Sequence, residues 1–228
     1  MNRDLLEPYD LKSVRHISGV DHNESISIGP RGEAYTTGFN TCRVFRLDLA
    51  TTTEEAFAST APRRVLGQVV DADGNLYCAE PDIPGSQVIK ITPEGKQSVY
   101  SNGPAGVGFM SANTPAFDRF GNMYISDTGS WSQKIDGHIY RIPPGGGDAE
   151  VWCAQAIDTP NGIALDPEET FVYYVETWGN SISRIAIKND GSAGAVERGV
   201  HMQPTRPDGI AFDENGGMWL ACHGTVTF

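Results

Sequence analysis

The sequence predicts an all-β fold, a β-propeller in which one four-stranded unit recurs around a central axis. Three observations predict it: five copies of one motif, a near-constant spacing between them, and 26 Gly and 14 Pro among short apolar runs in place of long amphipathic stretches.

The motif is a short apolar strand, a D-x-x-G-like turn and a second apolar strand. It reads ISIGPRGEAYTTG (26–38), VVDADGNLYCAE (69–80), AFDRFGNMYISD (116–127), ALDPEETFVYYVE (164–176) and AFDENGGMWLAC (211–222). The turns open at Gly29, Asp71, Asp118, Asp166 and Asp213, which are 42, 47, 48 and 47 residues apart. That is close to the roughly 40 to 50 residues of a propeller blade. Asp at the turn start bonds backbone donors two residues on, and Gly at its end supplies positive φ, so each copy is a hairpin.

A third strand follows most hairpins, in CRVFRLDL, QVIKITPEG, GHIYRIPPGG and SISRIAIKNDG. Fourth strands are weaker signals, with QSVYS and EVWCA the best candidates. No helix of convincing period appears; residues 54–61 are the one stretch that admits a short one. The chain reads as a single domain over residues 1–228. A sixth turn is due at about residue 260, so the last blade and a half of a six-bladed ring is expected to be missing, or else the sheet leaves an open edge. Residues 1–23 are candidates for extra strands that close the ring.

The net charge of −12, with no Lys/Arg run, argues against nucleic acid and anionic membrane surfaces as partners. The first ten residues, MNRDLLEPYD, lack the basic start and apolar run of a secretory signal, so a cytoplasmic location is expected. No stretch reaches the ~18 consecutive apolar residues of a membrane-spanning helix. Cys42, Cys78, Cys153 and Cys222 form no C-x-x-C pair and are expected to be free, buried thiols.

Five residues before the turn starts stand Glu24, Leu66, Asn113, Asn161 and Asp208. Four of the five carry side-chain oxygens. Equivalent positions of successive blades lie at equal heights around the axis, so those four are expected to converge at the mouth of the channel. Two carboxylates and two amide carbonyls form a hard donor set suited to Ca²⁺, with Mg²⁺, Mn²⁺ or Zn²⁺ as alternatives. The competing reading is that Asn161-Gly162 and Asp208-Gly209 are ordinary turn dipeptides.

The second strand of each hairpin returns to the same face. It ends at Glu80, Asp127, Glu176 and, in the fifth copy, at Cys222 followed by His223, while Trp131 and Trp178 stand in the loops beyond. These are candidates for a substrate pocket, since such sites combine aromatic walls with a few placed polar groups.

TPNGIALDPEETFVYYVETWGNSISRIAI (159–187) and RPDGIAFDENGGMWLACHG (206–224) resemble the senescence marker protein/gluconolactonase family, regucalcin-like six-bladed propellers that include sugar and drug-responsive lactonases. The resemblance implies a divalent metal, commonly calcium, held by Glu24, Asn161 and Asp208, with Asn113 near metal and substrate. It implies a small-molecule substrate and hydrolysis of a lactone, with Asp208 also helping to activate water. An Arg that contacts substrate in sugar-lactone members corresponds here to Ser111, which sets aldonolactones apart from the expectation. Two alternatives stay open: a calcium- or ligand-binding propeller without catalysis, and a strictosidine-synthase-like enzyme acting on another substrate. Monomer and dimer are both compatible with the sequence.

Overall fold

Each turn folds around a side chain that gathers backbone donors. In the computed structural model, which describes residues 21–132, 134–202, 205–213, 215–223 and 225–227, Asp71 accepts bonds from the amides of Asp73 (2.9 Å) and Asn75 (2.8 Å) and from the Tyr77 hydroxyl (2.9 Å). Asp118, Asp166 and Asp213 act in the same way in their own turns. In the first turn, where Gly29 replaces Asp, the Glu33 carboxylate reaches back to the Arg31 amide (2.9 Å) and takes over the role. Gly74, with φ of 85°, closes its turn in the left-handed region that glycine favours; in the fourth turn Glu169 adopts φ of 55° instead. Arg119 of the preceding blade holds that residue, donating from Nε to Oε2 at 2.7 Å.

The hairpins grow into five antiparallel sheets. The first contains β1 (Asn23–Ile28), β2 (Ala34–Gly38), β3 (Arg43–Asp48) and β4 (Thr53–Ser59); the second β5 (Gln68–Val70), β6 (Leu76–Glu80), β7 (Gln87–Ile91) and β8 (Gln97–Ser101). The third contains β9 (Ala112–Phe117), β10 (Met123–Asp127), β11 (Gly137–Ile142) and β12 (Glu150–Ile157); the fourth β13 (Pro160–Leu165), β14 (Phe171–Glu176), β15 (Ser181–Ile187) and β16 (Ala193–His201). The fifth has β17 (Pro207–Phe212), β18 (Met218–Cys222) and β19 (Thr225–Thr227) as its described strands. Order within every sheet is sequential, and β1, β5, β9, β13 and β17 follow one another as inner neighbours, which makes the fold an all-β propeller.

The stretch that admitted a short helix is strand β4, paired to β3 from Asp48↔Thr53 to Arg43↔Ser59. Its polar, solvent-facing sequence hides the strand period, as expected for an outermost strand covered on one side only. Among the described residues there is no helix, and so none long and apolar enough to cross a membrane. Residues 1–20, which carry the leader and ring-closing expectations, lie outside the described set.

The core is a series of layers between blades. Val44, Leu76 and Ile89 pack between the first and second sheets, Tyr77, Met123 and Ile125 between the second and third, and Tyr124, Ile163 and Tyr174 between the third and fourth. All four cysteines are free; Cys78, Cys153 and Cys222 are buried in these layers and Cys42 is half-buried.

Candidate functional site

The inner strands are irregular at one place, and it recurs. Opposite a single residue of the second strand, each inner strand inserts an extra one: Glu24 and Ser25 between the Asn23↔Gly38 and Ile26↔Thr36 pairs, Asn113 and Thr114 between Ala112↔Asp127 and Pro115↔Ile125, Asn161 and Gly162 between Pro160↔Glu176 and Ile163↔Tyr174. Asp208 is the extra residue between Pro207↔Cys222 and Gly209↔Ala221. In the second sheet Leu66 and Gly67 both bond Ala79, the amide of one and the carbonyl of the other, at 3.0 Å each. These are β-bulges, which bend a strand and re-aim its side chains.

All five bulge residues, Glu24, Leu66, Asn113, Asn161 and Asp208, line one cavity of about 530 Å³. Asn161-Gly162 and Asp208-Gly209 therefore lie inside strands, not in turns. Gly162 and Gly67 serve close approach: a Cβ on Gly162 would stand 2.5 Å from the Asp208 carbonyl oxygen, and one on Gly67 would stand 2.6 Å from that of Asn113. Adjacent blades thus touch backbone to backbone beside the site. Hydroxyls reinforce the contact, with Thr37 Oγ1 donating to the Leu66 carbonyl (2.7 Å) and Ser126 Oγ to that of Asn161 (2.5 Å).

Within the cavity Asn161 Nδ2 donates to Asp208 Oδ1 at 2.6 Å and to Thr177 Oγ1 at 3.1 Å. Thr177, buried between the fourth and fifth blades, donates in turn to the Pro207 carbonyl at 2.9 Å. The same hydroxyl therefore orients the Asn161 amide and holds the backbone next to Asp208. His223 Nε2 is 3.6 Å from Asp208 Oδ2, and His22 Nε2 is 2.9 Å from Glu24 Oε1. Burial pushes the Glu24 carboxyl above its ordinary value; His22 and His223 oppose the rise, and the nearby Asp208 carboxylate adds to it.

Ser111, Trp131 and His223 also line the cavity. Glu80, Asp127, Glu176 and Trp178 stand at the expected strand ends and loops but are not among its lining residues. The three acids are buried and bonded within their own blades. Asp127 accepts from the amides of Met110 and Ser111 (both 2.7 Å) and Gly129 (3.0 Å), and burial, against those bonds, pushes its carboxyl up. Glu80 bonds Gln87 Nε2 at 2.6 Å and lies 3.7 Å from Arg63; burial raises it too. Glu176 accepts from Ser183 Oγ at 2.7 Å. Trp178 packs edge-on to Trp131, ring centres 6.5 Å apart, and under the Arg206 guanidinium at 4.3 Å.

Sequence reasoning missed His22, Phe39, Arg64 and Ile83, which reach the cavity from loops, and Thr177, which acts from behind it. The bulges did leave a signal: Gly67, Gly162 and Gly209 each follow a site position inside or beside a strand, where glycine marks a bulge or close approach.

Among the described residues no three His, Cys, Asp or Glu side chains gather closely enough to hold a metal by themselves. The two carboxylates and two amides that line the cavity form a hard oxygen set of formal charge −2, and this chemistry fits a calcium-like ion.

A propeller whose inner-strand bulges direct acids and amides into one cavity is the class of protein defined by this fold and site. The family model described as the SMP-30/Gluconolactonase/LRE-like region matches residues 106–228, more than half of the sequence, and the chain belongs to that family. Lactonase drp35 of Staphylococcus epidermidis is 30% identical over 114 residues, 47% of this chain and 34% of that protein. Lactonase drp35 of Staphylococcus haemolyticus is 23% identical over 190 residues, 80% of this chain and 57% of that protein. The matches thus span from a third to somewhat over half of those relatives' length. Among solved structures, a gluconolactonase from Xanthomonas campestris superposes with a TM-score of 0.75 at 20% identity, covering 87% of this chain and 69% of that one. Regucalcin of Agrobacterium tumefaciens, a calcium-binding protein, gives 0.71 at 19% identity, covering 88% and 67%. At such identity these likenesses speak for the fold.

Proposed function

We propose that this protein hydrolyses a lactone or related cyclic ester at the bulge-lined cavity. One observation carries the reading: Glu24, Asn113, Asn161 and Asp208, from four different blades, open onto the same 530 Å³ space. Family membership and the drp35 lactonases among the relatives support it.

Asp208 is the base in this reading. Asn161 holds one of its carboxylate oxygens at 2.6 Å, and His223 stands 3.6 Å from the other. Asp208 takes a proton from a water whose oxygen bonds to the carbonyl carbon. The bond from that carbon to the ring oxygen then breaks, and the proton passes to the departing oxygen, so one water is consumed and one hydroxy acid leaves. Glu24, Asn161 and Asp208 are the residues to hold a divalent ion, with calcium the first choice, and Asn113 serves ion or substrate. Bound there, such an ion supplies Lewis acidity to the carbonyl oxygen and to the oxyanion that develops on it. Thr177 keeps Asn161 and the Asp208 backbone in register.

The test is a lactone panel assayed as isolated, with EDTA, and with Ca²⁺ restored, alongside metal analysis. Hydrolysis that disappears with EDTA and returns with Ca²⁺ is expected. Metal uptake without EDTA-sensitive hydrolysis would mark a binding propeller and end this reading.

A further inference from the structure

Beside its oxygens the cavity is lined by carbon. Leu66 stands at the bulge position that supplies no oxygen donor, and Phe39, Pro81, Ile83 and Trp131 line the same space. Ile83 is 68% exposed and Trp131 48% exposed, so large apolar surfaces of this cavity are open to solvent. An apolar patch rimmed by polar groups marks a binding site more than a random surface does.

The wall is also braced. Phe39 lies under the Arg64 guanidinium at 4.9 Å and tilts against the His22 ring at 5.7 Å. Arg64 is itself tied to Asp82, from Nε to Oδ1 and from the backbone amide to Oδ2, both at 2.6 Å. Arg64 Nε and Nη2 are thus both turned to Asp82, and Ser111 offers only a hydroxyl on the neighbouring blade. A polyol laid against Phe39, Leu66 and Ile83 would give up water bonds that this wall cannot replace. An alkyl or aryl group loses nothing there and gains by burial. The cavity's volume, in the range of drug-sized ligands, exceeds the need of a bare ring.

We propose that the substrate's lactone ring carries an apolar substituent, an alkyl chain or aryl group, lodged against Leu66, Phe39, Pro81, Ile83 and Trp131, and that polyhydroxylated sugar lactones are poor substrates. The proposal rests on the lactonase reading for its ring and on the carbon wall for its substituent.

The full chain with Ca²⁺ is assayed on γ-butyrolactone, γ-hexalactone, γ-octalactone, γ-decalactone and D-glucono-1,5-lactone. In parallel, quenching of tryptophan fluorescence follows binding of γ-decalactone and of D-glucono-1,5-lactone without reference to turnover. kcat/KM is expected to rise about threefold to fourfold per added CH₂ until the wall is covered, with D-glucono-1,5-lactone below γ-butyrolactone. Ile83→Asn, at an exposed position, flattens that slope; Leu66→Ala does the same from its bulge position. Hydrolysis with no chain-length slope, or with the sugar lactone preferred, overturns the proposal and leaves the lactonase reading standing. Hydrolysis of none of the five, with γ-decalactone still bound more tightly than the sugar lactone, upholds the apolar subsite and removes the hydrolase. Equal slopes in wild type and both variants put the chain elsewhere and overturn the assignment, as does the absence of both hydrolysis and preferential binding.

Discussion

The inner hairpin of each blade has two ends that do opposite work. At the turn end, four of five blades place the same residue, Asp, and use it identically, to collect backbone donors. At the bulge end the backbone is repeated while the residues differ: Glu24, Leu66, Asn113, Asn161 and Asp208. Sameness at the first end reports what the fold requires. Difference at the second, on a backbone bulged in every blade, is what the proposed chemistry asks for, since packing alone has no use for two carboxylates brought near each other.

The contrast breaks if a bulge residue matters chiefly for stability or a turn residue for turnover. Asp208→Asn should lower lactone kcat/KM by about a thousandfold, the middle of the range that a general base contributes, with the thermal midpoint close to wild type. A large fall in midpoint would move Asp208 to the structural side. Gly162→Ala drives a Cβ against the Asp208 carbonyl oxygen, a backbone atom that yields only if the fourth and fifth blades part. Urea unfolding should show a loss of about 2 kcal/mol, and turnover should fall with it.

Asp71→Ala acts at the other end. It removes four accepted bonds and should cost about 2 kcal/mol in the same urea assay, with kcat/KM of the folded fraction unchanged. The effect carries a pH signature. Burial pushes the Asp71 carboxyl up, but bonds from Asn75, Tyr77 and Asp73 outweigh it and hold the group below its ordinary value. Its stabilisation is therefore present above the unfolded-chain value of about 3.9 and fades as pH falls through the lower folded value. The stability gap between wild type and the variant should shrink on the acid limb below about pH 4; a gap that widens there would contradict the assignment. Thr177→Val, the mildest, should cost about 1 kcal/mol and yet weaken Tb³⁺ binding, read by luminescence, with Thr177→Ser restoring it. Loss of stability without loss of ion affinity would make Thr177 structural only.

Much of this was legible in the sequence, for reasons of locality. The turns were readable because an Asp and a Gly three residues apart dictate a hairpin without help from the rest of the chain. β8 and β12 left a weak signal in the short apolar runs of QSVYS and EVWCA, whereas β4 and β16, exposed along much of their length, carry none. The oxygen donors were found by register, which a repeat makes local. What register could not supply was orientation. Glu80, Asp127 and Glu176 end their strands on the expected face, yet neighbouring residues of their own blades offer amides and hydroxyls close by, and the carboxylates turn to them. The wall formed by Phe39, Ile83 and Arg64 comes from loops with no common spacing, so only the folded chain brings it together.

The bulge at Leu66 has an implication for redesign. Because the second blade already kinks its backbone as its neighbours do, that position is a ready-made socket whose occupant can be exchanged without rebuilding the ring. A single oxygen-bearing side chain introduced there would add a fifth polar group to the cavity's oxygen set and trim the greasy wall in one step. Selectivity in such a scaffold is thus tunable one plug at a time, while the Asp-centred loops at the far end keep the barrel of blades intact.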